Sequence, residues 1–424
     1  MNHRQSSFEP EASVLTAGRD RHYSLGLASA LIAANVKFDF IASDDLESEE
    51  LRRSTQVNFL NLRGDQNVEA GLLQKTSRIL IYYFRLIKYA ATTKAKVFHI
   101  QWNNKFEFFD RTVLMAFYKL LGKKITLTAH NINAGRRDGC DSFLNRASLK
   151  FQYRLCDRIF VHTNKMKAEL ISDFDVPENK IVLIPFGLNC KVPVTTLHRA
   201  GARERLRLLG DDKVILFFGN IAPYKGLEFL VQAFEEVAKS DSSLRLIIAG
   251  RPKGPKQYWE RIQKQLAACP FKEDILEKIE YIADEEIEIY FKAADILVLP
   301  YIHIFQSGVL FLAYSFGLPV IASDVGSLKE EILEGQTGYV CPPQNAAALA
   351  SAIRDYFKSN LYRQLNFRRA EIQDFAGEKY SWSKVGVITA SAYAELLSQT
   401  KHPNPLRKTG KNNEAFSFDT HSGL

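Results

Sequence analysis

The sequence predicts an α/β protein of two doubly wound domains. Short apolar runs alternate with helical patterns along the whole chain, which is typical of βαβ units and parallel sheets. The alternation stops in one loop-like stretch, 186–205, and then resumes, so the pattern is present twice. The length of 424 residues suits two or three domains of roughly 150 residues each.

In the first half, six apolar runs are the predicted strands and the segments between them have helical periodicity. The strands are expected at 13–17, 38–42, 97–101, 125–129, 158–162 and 181–184. Helices are expected at 22–35, 71–91, 107–121 and 143–155.

The second half repeats this pattern. Its strands are expected at 213–218, 244–249, 279–282, 296–299, 319–322 and 338–340, and its helices at 227–239, 255–268, 285–293, 346–358 and 361–374. The predicted domains are therefore 12–190 and 205–378, followed by a last helix over 379–399. The polar, Gly/Pro/Asn-rich tail over 400–424 is predicted to be disordered.

Composition excludes several classes of protein. Five cysteines without a CxxC pair predict neither a disulfide framework nor a structural zinc site, and they suit a reducing, cytoplasmic compartment. No run of about 18 apolar residues occurs, so no transmembrane helix is expected. The N-terminus is polar, so no signal peptide is expected.

Positive charge is concentrated in the first half. The net charge is +8, whereas residues 51–150 alone hold 18 Lys and Arg against 6 Asp and Glu, a net +12. An anionic partner is therefore expected, either an anionic membrane surface or a nucleic acid. The stretch 71–96 mixes apolar and basic residues, and it suits either an interfacial amphipathic helix or a buried domain helix with a basic edge.

Two strand ends in the second half are candidate phosphate sites. In FFGNIAPYKG, a strand runs into Gly219 and Asn220, and Lys225 precedes a helix. A glycine at a strand end allows close approach of a ligand, and a lysine beside a helix N-terminus suits a phosphate. The alternative is a surface-loop lysine. The loop does not match a Walker A motif.

The second candidate is PYIHIFQSGVLFLAYSFGLP, where a strand leads into a helix. Ser307 is the expected N-cap and Gly308 leaves the first turn without a side chain, so free N–H groups are available for a phosphate. The alternative is a capped core helix. Together, the two loops predict one nucleoside diphosphate held from both sides. Gly250 and Arg251 follow a third strand, where a base or a phosphate could lie.

In the first domain, His130 and Asn131 follow a strand end, where a histidine suits a sugar contact or acid–base role, or is purely structural. Gly18, Arg19 and Arg21 lie between the first strand and helix, and the two arginines suit either contacts to an anionic acceptor or an exposed loop. The D-x-D sequence at Asp173 has the spacing of a metal site, but it precedes a turn far from the phosphate loops, so no metal site is predicted.

In order along the chain, these motifs resemble glycosyltransferase family 4. The resemblance covers most of the chain and is sharpest over 214–342. It is carried by TLTAHNI, CDRIFVHTNKMKAEL, FFGNIAPYKGLEFLVQAF, LRLIIAGRPKG, YFKAADILVLPY and SGVLFLAYSFGLPVIASDVGSLKEEILEGQTGYVCPP.

The resemblance implies a GT-B fold, in which two Rossmann-like domains face a central cleft and the C-terminal helix returns to the first domain. It implies retaining transfer from a nucleoside diphosphate sugar, without cofactor or metal, to a glycan or polyprenyl-linked acceptor in polysaccharide biosynthesis. The implied catalytic residues are His130 and Lys225. The donor residues would be Gly219, Asn220, Lys225, Gly250, Arg251, Gln306, Ser307, Gly308 and Val309, and the acceptor residues Gly18, Arg19, Arg21 and Asn131.

This sequence departs from the family at two acids. The Glu-x7-Glu motif of many members would fall at Ile304 and Leu312, so the resemblance is to a branch without these acids. The main hypothesis is a transferase that works peripherally on the cytoplasmic face of a membrane. A non-catalytic partner subunit is the alternative. Nucleic-acid binding rests only on the pI of about 9.0, with no recognisable module, and is not expected.

Overall fold

The computed structural model describes residues 8–18, 20–67, 70–137, 141–188 and 192–401. Two parallel β-sheets organise these residues. The first contains β1 (Ala12–Leu15), β2 (Phe38–Ala42), β3 (Val57–Asn61), β4 (Val97–Ile100), β5 (Lys124–Thr128), β6 (Arg158–Val161) and β7 (Ile181–Leu183). The second contains β8 (Lys213–Phe218), β9 (Leu244–Ala249), β10 (Ile275–Lys278), β11 (Ile296–Leu299), β12 (Val320–Ser323) and β13 (Gly338–Cys341).

Helices connect the strands and cover both faces of each sheet. The first half contains α1 (Arg21–Ala33), α2 (Glu49–Arg53), α3 (Leu72–Thr92), α4 (Glu107–Phe109), α5 (Met115–Leu120), α6 (Ala134–Arg137), α7 (Phe143–Leu155) and α8 (Asn164–Phe174). The second contains α9 (Arg199–Arg205), α10 (Leu227–Ala238), α11 (Lys256–Ala268), α12 (Asp284–Ala293), α13 (Gly308–Ser315), α14 (Leu328–Glu331), α15 (Ala346–Lys358), α16 (Asn360–Arg363), α17 (Leu365–Lys379) and α18 (Trp382–Lys401).

The order of the strands identifies where ligands bind. The first sheet has the order β3-β2-β1-β4-β5-β6-β7 and the second β10-β9-β8-β11-β12-β13, with parallel pairing between neighbours. The chain changes direction across the sheet at β1/β4 and at β8/β11. Doubly wound sheets bind ligands at such switch points, beyond the carboxyl ends of the strands. The predicted fold class, two doubly wound α/β domains of GT-B type, is confirmed.

Helix α18 packs on α1 of the first domain through glycine contacts. A Cβ on Gly26 would stand 2.1 Å from the ring of Trp382, and a Cβ on Gly187 would stand 2.5 Å from the same ring. The indole Nε1 donates to the carbonyl oxygen of Leu188 at 2.7 Å. Trp382 therefore joins α1, α18 and the linker between the domains.

Some boundaries differ from the predictions. The strand predicted at 279–282 is wrong, because β10 is Ile275–Lys278 and those residues form the loop after it. The helix predicted at 107–121 is interrupted by a π-helical turn, Asp110–Leu114. The stretch 186–205 contains α9, whose Arg203 pairs with the buried Asp295 at 2.9 Å. Residues 402–424 of the predicted tail lie outside the described residues.

Candidate functional site

A cavity of about 560 Å³ lies between the two domains. Asp20 and Tyr23 line it from the first domain, and Phe186 lines it from the linker. The second domain contributes the loops that follow β8, β9, β10 and β11. The cavity thus lies at the switch point of the second sheet, where a ligand is expected.

The loop after β8 buries a lysine. Lys225 is 5% exposed, and its Nζ lies over the ring of Tyr301, 5.0 Å from the centroid. Among the described residues no carboxylate lies within ion-pair distance of this ammonium. A buried charge without a counter-ion is unfavourable, so this environment favours an anionic ligand.

Glycines bring this loop close to its neighbours. A Cβ on Gly219, whose φ is 101°, would lie 3.1 Å from Lys225 Nζ and 3.6 Å from Val309 Cγ2. Gly250 has a φ of 151°, and a Cβ there would stand 1.8 Å from the carbonyl oxygen of Gly219. Gly219 is therefore the point where three segments come together: the loops after β8 and β9 and the start of α13.

The first turn of α13 opens onto the same cavity. Ser307 occupies the predicted N-cap position, but its side chain makes no capping hydrogen bond, and its Oγ lies 3.3 Å from the Tyr301 hydroxyl. A Cβ on Gly308 would approach only Phe186, at 3.9 Å. The N–H groups and dipole of this helix end suit a phosphate.

Arg251 provides a second cation at the cavity. Its guanidinium lies over the ring of Tyr281, 5.4 Å from the centroid. Tyr281 is exposed and lines the cavity in the loop after β10.

The structure brings all nine predicted donor residues to one cavity: Gly219, Asn220, Lys225, Gly250, Arg251, Gln306, Ser307, Gly308 and Val309.

His130 lies behind the first-domain wall of the cavity. Its ring stacks on Trp102 with centroids 4.2 Å apart and contacts Tyr23 edge-on at 4.5 Å. Its Nδ1 lies 3.3 Å from Nε2 of His162, whose Nδ1 lies 3.3 Å from the carbonyl oxygen of Ile184. A carbonyl oxygen only accepts, so His162 donates from Nδ1 and accepts from His130 at Nε2.

This chain of hydrogen bonds fixes the tautomer of His130. Burial lowers the pKa of His162 to about 4, and it lowers the pKa of His130 well below its usual range. Both rings are therefore neutral at pH 7, and His130 carries its proton on Nδ1. Its Nε2 carries the lone pair, is buried and has no partner among the described residues, and His130 does not line the cavity.

His162 and a further buried histidine, His99, predict a loss of stability on acidification. In the unfolded chain they take up protons near pH 6.5, whereas in the folded chain burial holds the pKa of His162 at about 4 and that of His99 at about 3. The unfolded state therefore binds more protons below pH 6.5. Asp110, with its pKa raised to about 6 chiefly by burial, opposes this, as do three glutamates whose pKa burial also raises: Glu169, Glu277 and Glu330.

We expect the free energy of unfolding to fall as the pH is lowered from 7 to 5, as urea titrations at each pH would measure. His162→Asn should reduce the slope, by up to about 1.4 kcal/mol per pH unit. An unchanged slope in this variant would contradict a neutral, buried His162.

The predicted acceptor residues that the structure describes, Gly18, Arg21 and Asn131, do not line the cavity. Arg21 Nη1 lies 4.0 Å from Asp284 of the second domain, and His22 Nε2 lies 3.6 Å from the same carboxylate. Gly18, with a φ of 65°, lies close to the Arg63 side chain. Asn131 is half-buried and its Oδ1 has no partner among the described residues. Arg19 lies outside the described residues.

The D-x-D sequence is not a paired site. Asp173 lies 3.5 Å from Arg136, and Asp175 lies 2.5 Å from Lys150, so the two carboxylates contact different cations.

Sequence reasoning missed three features of this site. The ring of Tyr23 contacts His130, and Asp284 pairs with Arg21 across the two domains. Glu331 accepts a hydrogen bond from Gln306. The only signal for Asp284 and Glu331 was an acid near a helix start, which is common on any surface.

Comparison with known proteins agrees with this geometry. Residues 22–192 match the model of Glycosyltransferase Family 4, and residues 212–359 match that of Glycosyl transferases group 1. The two matches together span most of both domains. The first domain belongs to glycosyltransferase family 4. Two cavity residues of this chain, Ile304 and Leu312, stand where the family resemblance would place acids.

The relatives of this chain are distant. It is 27% identical over 245 residues to D-inositol 3-phosphate glycosyltransferase of Streptomyces avermitilis, covering 57% of this chain and 52% of the relative. It is 26% identical over 274 residues to an uncharacterized glycosyltransferase of Methanocaldococcus jannaschii, covering 62% and 67%. The match thus spans about half the length of the first of these relatives.

Solved structures share the fold. Sucrose-phosphate synthase from Thermosynechococcus elongatus superposes with a TM-score of 0.70 at 20% identity, covering 92% of this chain and 99% of that one. Anabaena HepE in complex with UDP-glucose superposes with a TM-score of 0.68 at 14% identity, covering 92% and 99%.

Proposed function

We propose that this protein transfers a sugar from a nucleoside diphosphate sugar to a glycan or lipid-linked oligosaccharide acceptor. The observation that carries the proposal is Lys225, a buried ammonium without a carboxylate partner among the described residues, close to the open first turn of α13. Negative charge grows on the diphosphate as the glycosidic bond breaks. Fixed positive groups at that point stabilise the transition state.

We propose that the transfer is retaining and needs neither a metal nor a cofactor. The Lys225 ammonium and the helix dipole of α13 supply positive charge for the leaving diphosphate. The predicted role of His130 at the sugar would require its buried Nε2, which does not line the cavity, to become accessible when the donor binds. The first domain, with Arg21 and Asn131, takes the acceptor. That the neighbour HepE is in complex with UDP-glucose supports a donor of this class.

A thermal-shift screen tests the donor site. The purified protein is mixed with UDP, GDP, ADP and TDP and with their common sugars. A ligand that binds only the folded state raises the apparent stability by RT ln(1 + [L]/Kd). We expect one nucleotide to give a clear shift, whereas a flat screen would overturn the proposed donor site. Turnover in the presence of excess EDTA tests metal independence, and the anomeric configuration of the product tests retention.

A non-catalytic partner subunit is the second candidate. Ile304 and Leu312 line the cavity and cannot contact a sugar or ribose through a carboxylate. This candidate predicts binding of a nucleotide without turnover in any acceptor mixture. Product formation that depends on this chain would exclude it.

We further propose that the acceptor is met at an anionic membrane, on the cytoplasmic face. Of the 22 large hydrophobic side chains that are exposed among the described residues, 14 lie between residues 72 and 151. Four of them form a stripe on the outer face of α3: Leu73, Leu80, Phe84 and Ile87. The inner face of the same helix buries Tyr82, Tyr83, Leu86 and Ala90.

The buried-helix interpretation of the stretch 71–96 describes the inner face of α3, and we propose that the interfacial interpretation describes its outer face. Its inner face belongs to the core, and its outer face is apolar with exposed basic residues, Arg85 and Lys88, on the same helix. Apolar side chains beside basic ones favour the surface of an anionic bilayer. None of the described helices has the length and hydropathy of a membrane-spanning segment.

We expect the protein to sediment with phosphatidylcholine vesicles that contain phosphatidylglycerol and to bind pure phosphatidylcholine less. Leu80→Ser combined with Phe84→Ser should weaken binding at least about tenfold, because two apolar anchors are lost. Phe367→Ser, which removes an exposed ring from α17, is the matched control. Unchanged vesicle binding, or self-association that the same double variant abolishes, would contradict the membrane assignment.

A further inference from the structure

Gln306 carries an unused acceptor at the cavity. Its Nε2 donates to Oε1 of Glu331 at 3.4 Å. Its own Oε1 is buried and has no partner among the described residues. A carboxylate accepts only, so this contact fixes the amide with its nitrogen towards Glu331 and its oxygen free to accept. The residue lines the cavity directly before Ser307.

Glu331 is itself firmly held. Its side chain is 7% exposed, lies 3.0 Å from Lys379 Nζ and accepts from the Tyr380 hydroxyl. Burial first, and then the Glu331 carboxylate, raise the pKa of Tyr380, so this hydroxyl remains protonated and donates. The carboxylate is therefore paired and fixed in position.

The loops that carry these two residues are clamped together. Ser327 donates to the carbonyl oxygen of Phe305 from its backbone N at 2.9 Å and from its Oγ at 2.7 Å. A Cβ on Gly326 would stand 2.0 Å from the carbonyl oxygen of Ile304, so only glycine allows this approach. The loop after β12 thus fixes the distance between Glu331 and Gln306.

We propose that Gln306 Oε1 accepts a hydrogen bond from a hydroxyl of the donor sugar and that Glu331 is the positioning residue that orients the amide. This inference rests on the proposed function, since it requires a nucleoside diphosphate sugar in the cavity. The sugar is then contacted by a neutral amide, and the carboxylate of Glu331 lies on the other side of that amide. No acid lies between residues 301 and 319.

Calorimetric titration separates the sugar contact from the diphosphate contact. The probes are two pairs, UDP with UDP-glucose and GDP with GDP-mannose, and the pair that the wild-type protein binds is used. Gln306→Ala should leave the Kd of the diphosphate within about twofold and weaken that of the sugar nucleotide about five- to tenfold, as the loss of one hydrogen bond predicts. Binding of neither pair, together with a flat thermal-shift screen for the other nucleotides, would count against the proposed function itself.

Glu331→Gln should give the same selective loss, because the amide of Gln306 is no longer oriented. The double variant should lose no more than either single variant, since both act on one hydrogen bond. Lys329→Ala, an exposed change on the same short helix, is the control. Glu331→Asp keeps the charge and should recover part of the loss.

Three results would overturn the inference. Equal weakening of diphosphate and sugar nucleotide by Glu331→Gln would indicate a purely structural role. Additive losses in the double variant would separate the two residues. Unchanged binding of the sugar nucleotide by Gln306→Ala would remove the contact. Should Glu331→Gln not fold, the Gln306→Ala and Glu331→Asp titrations still decide the matter.

Discussion

Replacing Lys225 by alanine is expected to lower kcat/KM for the donor by about 10²- to 10³-fold, as the loss of one preorganised charged group at a leaving group does. The ammonium is buried beside Gly219 and the start of α13, and no carboxylate among the described residues neutralises it. Steady-state kinetics with the donor found in the nucleotide screen would measure the effect. Lys253→Ala is the matched control, because Lys253 is exposed on the neighbouring loop.

In this variant we expect activity to fall while the melting temperature of the empty protein stays the same or rises. An unpaired buried charge destabilises the empty protein, so Lys225→Ala should melt at the same temperature as the wild-type protein or higher. The rise in melting temperature that the nucleotide causes should become smaller. Activity within about threefold of the wild-type value would contradict the role of Lys225 at the diphosphate.

The central strands of both sheets could be predicted because burial on both faces gives a continuous apolar run. β8, β9 and β11 have the predicted bounds, and so does β2. The failures lie at the sheet edges. β3 was not predicted and β10 was placed four residues too late.

Edge strands give a weaker signal for a physical reason. Only one side of an edge strand pairs with a neighbour, so part of it faces water and polar residues interrupt the apolar run. The sequence VNFLN of β3 contains two asparagines, and ILEK of β10 ends in two charged residues. In β10 the next apolar residues belong to the loop that reaches the cavity, and they gave the stronger pattern.

The glycine loops of the site could be predicted because each follows a strand end along the chain. The residues that orient them could not. Gln306 contacts Glu331, 25 residues later, and Trp382 donates to Leu188, 194 residues earlier. Arg21 and Asp284 meet across the two domains. Such pairs leave no local pattern in one sequence, since each partner alone resembles an ordinary polar or aromatic residue.

The π-helical turn illustrates the same limit. Residues 107–121 have one amphipathic pattern, and one helix is the natural prediction. The turn buries both Asp110 and Arg111, and the Tyr83 hydroxyl donates to Asp110 at 2.9 Å. These contacts come from another element, so the turn is decided by tertiary packing and not by the local sequence.

Gly250→Ala is expected to lower the free energy of unfolding by about 3 to 5 kcal/mol, the sum of backbone strain and overpacking. Its φ of 151° is unfavourable for alanine, and the new Cβ would stand 1.8 Å from the carbonyl oxygen of Gly219. The obstacle is backbone, so no side-chain movement relieves it. Urea titration followed by circular dichroism would measure the change.

Gly254→Ala separates the effect of backbone strain from the effect of the steric clash. Its φ of 113° is also positive, but the nearest atom to a Cβ is Pro223 Cδ at 3.6 Å. This variant therefore carries the strain without the clash and should lose about 1 to 2 kcal/mol. Because the clash displaces Gly219, Gly250→Ala should also weaken donor binding, whereas Gly254→Ala should not. Equal losses of stability in the two variants would show that the close approach of Gly250 to Gly219 does not limit this loop.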